Sequence, residues 1–468
     1  MSQRTILFLI ADTGAGHRSA ANAIHNAITL ISQHRQEECQ ARLAGGPDVL
    51  KPQEPDTYRI EIVDVFEDYS RFPLREAVKL YGPAIRYNPK LYGRFFHLSN
   101  QPKRVSAVKT VATPLIHNGL LRLITTVQPD VIVSIHPMLN HVTIEALRDL
   151  NLPIPFLTVV TDLVSAHSSW FAPGATSYVV PTEQTRQLYL KRGLDPERVH
   201  ILGMPIDPKF TLPIATKEEL CRKFELEPGL PVVLLVGGGD GAGGLPSAVR
   251  AISQARLPVQ LLIVTGRNKR LYVHLQRTRS HLRVPARVYG FVHNMPEMMH
   301  AADVIITKAG PGTICEALAC NLPIILSGYV PGQEEGNVDF VLSNGVGVIA
   351  RDPLELIAAL RRLVKPGSQV LRQQLENAKR ISRPYASFDI ASHILSYLPP
   401  PGKASIWQTA RAHNRSRMMS GRLRSAVRIR ALRRRLPRLT TLQPVRHRLT
   451  HLRFQIRDTN NDPGPKGT

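Results

Sequence analysis

Two short runs of this chain, residues 5–10 and 231–236, carry no charged side chain and pass almost at once into glycine-rich turns. A strand that is apolar on both faces must be covered on both, and a parallel sheet with helices packed on each side meets that requirement. The stretches after each run repeat the pattern. Behind the first come strand signals at 59–65, 130–135, 155–160, 178–181 and 199–205, with a helical pattern over 19–31 and another before the Gln128-Pro129 stop. Behind the second come 260–264, 288–289, 304–306 and 324–326, a helical pattern over 313–319, and a last one over 385–398 that ends at Pro399-Pro400-Pro401. Strands alternating with helices predict doubly wound α/β units. A chain of 468 residues is too long for one core. The restart at 231 divides it into two Rossmann-like domains, residues 1–207 and 208–385, followed by a terminal helix over 386–400 and an Arg-rich tail over 401–468.

Three segments stand where open α/β sheets bind ligands, just beyond the carboxyl ends of strands. The first is the 237–244 loop, with six glycines in eight residues. Free of Cβ atoms, Gly237, Gly238, Gly239 and Gly241 can bring their N–H groups close to a diphosphate. A tight glycine-rich turn is also a common βα connection, so alone the loop reads equally either way. It lacks good G-x-G-x-x-G spacing, and no acidic residue stands on a second strand in the expected place, which argues against a dehydrogenase. The second segment, Asp12-Thr13-Gly14-Ala15-Gly16-His17-Arg18, would bring His17 to the mouth of the sheet. A histidine there can accept a proton at neutral pH, although a single histidine is more often a cap or a packing residue. The third runs from Lys308-Ala309-Gly310-Pro311-Gly312-Thr313 through Glu316 to Gly332-Gln333-Glu334-Glu335-Gly336-Asn337. Pro311, Gly312 and Thr313 open a helix whose first N–H groups suit an anion. Carboxylates and amides after the next strand suit sugar hydroxyls, and each taken singly also reads as an N-cap or a surface charge.

Composition narrows the setting. The four cysteines, Cys39, Cys221, Cys315 and Cys320, have neither CxxC nor Cys/His metal spacing, which points to a reducing compartment and no structural zinc. The apolar run at 1–10 leads into residues 12–17 rather than a small-residue cleavage site, so it reads as a first strand and not a signal peptide. No stretch approaches the roughly 18 consecutive apolar residues of a spanning helix, so any membrane contact is expected to be peripheral. The net charge of +24 is concentrated at the end, where residues 401–468 hold 15 Arg and 2 Lys against 2 Asp. Arginines interleaved with Met, Leu, Val and Ile between 411 and 457 suit a basic amphipathic helix on anionic lipid. A disordered extension is the plainer alternative. Nucleic acid is disfavoured, because aromatic stacking residues are almost absent there.

Taken in order, four blocks resemble the monogalactosyldiacylglycerol synthase and processive diacylglycerol glucosyltransferase family. They are residues 12–18, Thr161-Asp162-Leu163 with His167 and Trp170-Phe171, Gly290-Phe291-Val292, and the 308–337 block. The resemblance covers roughly residues 5–395, and the tail has no counterpart in it. The family belongs to glycosyltransferase family 28 and shares its fold with the lipid-linked N-acetylglucosaminyltransferase of peptidoglycan synthesis. It implies a GT-B fold of two facing Rossmann-like domains, with the lipid acceptor on the first, a UDP-sugar on the second, and the 386–400 helix returning to the first. It implies transfer of a hexose from UDP-galactose or UDP-glucose to diacylglycerol with inversion, His17 as base, and neither metal nor cofactor. Glu316 would meet the ribose, Phe291 and Val292 the uracil, and Gln333, Glu334 and Asn337 the sugar. The 237–244 loop and the turn at Pro311, Gly312 and Thr313 would hold the diphosphate. His167 and Trp170 match a segment facing the acceptor. One departure is Ala15, where the family commonly has a third glycine.

An enzyme of diacylglycerol must reach the bilayer. Residues 81–96, which include Tyr87 and Tyr92, mix aromatic and basic side chains as an interfacial segment does, or as a core helix with a solvated face does. The expected location is cytoplasmic, peripheral at the inner face of the cell membrane, with anionic lipids as partners. Two alternatives remain, a wall-precursor lipid as acceptor on the same fold and a non-catalytic adaptor. His17 together with Glu316, Gln333 and Glu334 argues against the adaptor.

Overall fold

The computed structural model describes residues 3–12, 15–44, 56–79, 88–212, 214–237, 244–400 and 403–410. They build two six-stranded sheets. The first contains β1 (Gln3–Ile10), β2 (Thr57–Asp64), β3 (Val131–Ser134), β4 (Phe156–Val159), β5 (Ser177–Val180) and β6 (Val199–Ile201), in the order β2-β1-β3-β4-β5-β6. The second contains β7 (Val232–Val236), β8 (Gln260–Val264), β9 (Ala286–Tyr289), β10 (Val304–Lys308), β11 (Ile324–Gly328) and β12 (Gly347–Ile349), in the order β12-β11-β10-β7-β8-β9. All pairings are parallel.

The apolar runs explain the layering. In β1, Leu7 and Leu9 pack toward Ile116, Leu120 and Leu123 of the Pro102–Val127 helix. Ile6, Phe8 and Ile10 pack on the opposite face, against Ile24 and Ile28 of the Ala15–Ala44 helix. In β7, Val233 and Leu235 likewise meet Val249 and Ile252 of the Leu245–Ala255 helix, while Val232, Leu234 and Val236 face the other way. Each strand thus buries alternate residues on two layers of helix. The strand order reverses between β1 and β3 and again between β7 and β10. At such switch points neighbouring crossovers leave in opposite directions and open a crevice at the carboxyl edge.

Two elements depart from the sequence pattern. The first helix runs over Ala15–Ala44 rather than 19–31, and β12 is an added edge strand of three residues. Within the 81–96 segment, Tyr87 and the residues before it lie outside the described residues, and Pro89–Ser99 is a helix.

The chain crosses between the sheets twice. Near Gly203, at φ +97°, a Cβ would lie 2.8 Å from Ala386 Cβ, so the outgoing and returning segments touch where only glycine fits. The returning Ala386–Leu395 helix lies on the first sheet's helical layer, where Ile390, Ala391 and Ile394 join Ile24, Ala27 and Ile28. Ser387 Oγ donates to the Ile206 carbonyl at 2.5 Å. Beyond it, buried Arg4 donates Nη2 to the carbonyls of Pro400 at 2.9 Å and Lys403 at 2.8 Å. Trp407 Nε1 donates to the Pro129 carbonyl at 2.9 Å. These bonds strap residues 403–410 to the amino edge of the first sheet; residues 411–468 lie outside the described residues. Among the described residues no helix is long and apolar enough to cross a membrane.

Ile390 is fully buried, so Ile390→Ala is expected to cost about 3 kcal/mol through lost burial and a residual cavity. Urea denaturation reads this out, and an undiminished midpoint would mean that the returning helix is not docked on the first domain.

Candidate active site

At the first sheet's switch point the loops after β1, β3 and β4 converge on one imidazole. His17 lies in the first turn of the Ala15–Ala44 helix and is half-buried. Its Nδ1 is 3.3 Å from Thr161 Oγ1. Its ring meets His136 edge-on with centroids 4.8 Å apart, and the Trp170 ring lies at 6.4 Å. Burial pushes the His17 pKa down to about 4, against a hydrogen bond with the Ile135 backbone and the field of Asp12. Burial and the neighbouring His17 push His136 down as well. Both rings are therefore neutral at pH 7, and a neutral imidazole has a lone pair to take a proton. Asp12 itself is held at the rim by Arg18, 2.7 Å away.

The segment expected to face the acceptor is a packing layer behind this group. Trp170 is 1% exposed and donates Nε1–H to Asp162 Oδ2 at 2.7 Å. It is therefore a buried support that holds Asp162. Burial pushes the Asp162 carboxyl up to about 6, opposed by that bond and one from the His167 backbone. His167 lies 2.7 Å through Nδ1 from Ser169 Oγ and 3.4 Å through Nε2 from Ser99 Oγ, and its ring stacks obliquely on Phe96 at 5.0 Å.

At the second switch point the Pro311–Ala319 helix begins directly beyond β10. No side chain caps its first turn, formed by Pro311, Gly312 and Thr313, and a Cβ at Gly312 would meet nothing within 4 Å. The unsatisfied N–H groups of a helix start facing open space suit an anion. Lys308 ends β10 with Nζ 2.6 Å from Glu334 Oε1. Glu334 is 5% exposed, and its Oε2 accepts from the Val330 N–H at 2.8 Å. Each oxygen thus has a partner within the protein, and Glu334 holds Lys308 in place. Asn337 is also buried and donates Nδ2–H to the Ala309 carbonyl at 2.9 Å, so it clamps the turn from beneath. Gln333 is half-buried and accepts at Oε1 from the Tyr92 hydroxyl at 3.1 Å. Tyr92, expected at the acceptor or membrane, thus reaches across the cleft.

Of the remaining residues expected to meet the donor, those described lie beyond the carboxyl ends of β7, β9 and β10. Gly237 belongs to the ladder, donating its N–H to the Val264 carbonyl at 3.3 Å, and so is not free for a phosphate. Gly238, Gly239 and Gly241 lie outside the described residues. Gly244, at φ +70°, is the N-cap of the Leu245–Ala255 helix. Glu316 lies one turn into its helix, where burial and the charge of Asp207 push its carboxyl up to about 7. Beyond β9, Phe291 is 52% exposed under the Arg267 guanidinium, 5.2 Å from the ring centre, with Val292 half-buried beside it. Among the described residues no group of three or more His, Cys, Asp or Glu side chains is placed to hold a metal ion.

Sequence reasoning assigned no role to Lys308, Thr161, Asp162, His136 or Arg267. For Lys308 a signal existed, since a lone cation closes the apolar run 304–308 just before a helix start. For His136 and Arg267 none did, because only the sheet order brings them to the cleft.

From neutral pH down to about 5.5 the His17 ring is expected to stay unprotonated in the folded protein. The labelled Cε1 resonance that disappears in His17→Gln should not shift over that range, and a midpoint near 6.5 would overturn the burial argument. Since the unfolded chain protonates this group near its ordinary 6.5, its contribution to stability is present above pH 6.5 and is lost as pH falls toward 4.

Comparison with known proteins covers both domains. Residues 17–206 match the family model for monogalactosyldiacylglycerol (MGDG) synthase, and residues 232–386 match the glycosyltransferase family 28 C-terminal domain. A probable chloroplastic monogalactosyldiacylglycerol synthase 2 of Oryza sativa subsp. japonica is 36% identical over 401 residues, 84% of this chain and 80% of the relative. The chloroplastic monogalactosyldiacylglycerol synthase 3 of Arabidopsis thaliana is 36% identical over 406 residues, 84% of this chain and 81% of its own. In fold, the chain is similar to Acinetobacter baumannii MurG, with TM-score 0.52 at 14% identity over 84% of this chain and 99% of that one. It is also similar to a Neisseria meningitidis UDP-GlcNAc 2-epimerase bound to UDP-GlcNAc, with TM-score 0.50 at 14% identity over 84% and 100%. Two adjoining domains matched in order, and relatives matched across both, place the chain in the monogalactosyldiacylglycerol synthase family: it is a glycosyltransferase of GT-B fold.

Proposed function

We propose that this protein transfers a hexose from UDP-galactose or UDP-glucose to the free hydroxyl of diacylglycerol, with inversion. The observation that carries the reading is the neutral, half-buried His17 at one switch point, with the Lys308 ammonium and an uncapped helix start at the other. His17 takes the acceptor proton as the hydroxyl oxygen attacks the anomeric carbon. The bond from that carbon to the diphosphate breaks on the opposite face, so an α-linked donor becomes a β-glycoside and UDP leaves. Preorganised donors aimed at the charge that develops on the leaving group lower the barrier most. We assign that task to Lys308 and the first-turn N–H groups of Gly312 and Thr313, without a metal. Glu316, whose carboxyl is pushed up to about 7 and so is only partly ionised near neutral pH, meets the ribose without adding a full negative charge beside the diphosphate. The Phe291 and Val292 loop takes the uracil, and Gln333 takes the sugar, while Glu334 acts through Lys308.

A peripheral membrane position fits the acceptor. Phe72, Leu91, Leu98 and Val111 are large apolar side chains left exposed on the first domain. The tail's arginine excess suits an anionic leaflet, at the inner face of the cell membrane.

Incubation with diacylglycerol and each UDP-hexose, followed by separation of the lipids, is expected to yield a β-hexosyl diacylglycerol. Normal UDP binding with no glycolipid from either donor would favour the adaptor. His17→Ala is expected to lower kcat by about 10²- to 10⁴-fold with UDP affinity retained, and comparable turnover would remove His17 from its role. Removing residues 411–468 spares the strap at 403–410 and should weaken binding to anionic vesicles in a salt-dependent way. Unchanged binding would take the tail out of membrane recognition.

A further inference from the structure

The Pro89–Ser99 helix of the first domain lies directly on the 330–335 turn of the second. A Cβ at Gly93 would fall 2.7 Å from Pro331 Cβ and 3.2 Å from the Pro331 carbonyl carbon and oxygen, so helix and turn meet backbone to backbone. Gly332, at φ +80°, offers the matching surface, where a Cβ would lie 3.0 Å from Phe96 Cδ1 and 3.2 Å from the Gly93 oxygen. Polar contacts flank this seam. The Tyr92 hydroxyl donates to Gln333 Oε1 at 3.1 Å, and His97 Nε2 lies 3.3 Å from Glu335 Oε2. Glu335 Oε1 in turn accepts the Gly332 N–H at 2.9 Å.

The same helix is anchored on the acceptor side. Asn100 Oδ1 accepts the Ser168 N–H at 2.6 Å, and Ser99 and Phe96 both meet His167. The helix therefore links the layer behind His17 to the turn that carries Gln333.

We propose that Tyr92 is a positioning residue for hexose recognition, setting the carboxamide of Gln333 from across the cleft. The inference rests on the reading of Gln333 as a sugar contact. A carboxamide turns easily about its last torsion, which has broad rather than staggered preferences. Either its oxygen or its amide nitrogen can then meet a sugar, and these recognise opposite hydrogen-bonding groups. A phenol that donates to Oε1 selects one of the two. Hexoses that differ in the direction of a single hydroxyl are told apart by a site of this kind only when its donors and acceptors hold fixed places. The backbone contact of Gly93 on Pro331 supplies the fixed distance, and Tyr92 supplies the orientation.

Tyr92→Phe removes the hydroxyl and leaves the ring in place. In the full chain, with diacylglycerol as acceptor, kcat/KM for the preferred UDP-hexose is expected to fall about five- to tenfold, the size of one hydrogen bond. The ratio of kcat/KM between UDP-galactose and UDP-glucose should move toward one. Inhibition by UDP, which has no sugar, should not change. In the Gln333→Ala background the same substitution should add almost nothing, since the two groups act as one. Gly93→Ala, which wedges helix from turn, should reproduce the loss with UDP binding kept. Calorimetry gives a readout independent of turnover, because the difference in affinity between UDP-hexose and UDP should shrink in Tyr92→Phe. A parent protein that binds UDP-hexose and UDP alike would overturn the reading of Gln333. A parent that discriminates, with a Tyr92→Phe variant that discriminates equally or a full multiplicative loss in the double variant, would overturn the inference itself.

Discussion

A parallel strand cannot be joined to its neighbour by a hairpin, so each must be followed by a crossover, and all crossovers of one sheet begin at the same edge. Both sheets here are parallel throughout, and nearly every group of chemical interest follows from that. His17, His136 and Thr161 come from three different crossovers, yet they share an edge because β1, β3 and β4 are adjacent in the sheet. The reversal of order between β7 and β10 does the same for Gly244 and the Pro311–Ala319 helix start. Among the described residues, the opposite edge of the first sheet carries none of the candidate site residues. Arg4 and Pro129 use it to hold the strap.

Burial then decides how these groups are charged. His17 is pushed down to about 4 and Glu316 up to about 7, so each is driven toward its neutral form. In the proposed reaction an ionised carboxylate at Glu316 would repel the diphosphate, and a protonated His17 would have no lone pair for the acceptor hydroxyl. Positive charge near the Pro311–Ala319 helix start comes from Lys308, where Glu334 holds the ammonium at a defined place. An ion pair so placed has little value as a surface stabiliser and considerable value in orientation, because truncating the buried partner leaves the other without compensation.

The fold was legible wherever a strand was long and apolar on both faces, as in β1, β7 and β8. β12 was not, since three residues beginning with glycine show no period, and its place is set by pairing with β11. The first helix was read short because polar residues beyond Ile31 interrupt its apolar face, although helical geometry continues to Ala44. At the site, motif and residue type identified His17, Glu316 and the Pro311–Ala319 helix start. They could not show which of the chosen residues are buried and bonded within the protein. Glu334 and Asn337 look exposed by type, and their burial depends on Lys308 and Ala309 folding against them. The Tyr92 contact spans 241 residues of sequence and exists only because the two domains close on each other.

The way the domains close has a consequence for catalysis. Besides Gly93 on Pro331, a Cβ at Gly336 would lie 2.6 Å from Ser165 Oγ and 2.9 Å from its Cβ, so a second glycine admits the loop after β4. Contacts between long side chains adjust by rotamer changes, whereas contacts made through glycine leave almost no play. Attack by an acceptor oxygen needs the reacting atoms about 3–3.5 Å apart and in line, and a misplacement of about 1 Å is costly. His17 and the 330–335 turn, to which we assign the base and the sugar contact, belong to different domains, so their separation is set by whatever fixes one domain against the other. Glycine at these two points lets backbone surfaces supply that register. It also implies that enlarging either residue would be felt at the reaction centre before it is felt in the fold of either domain.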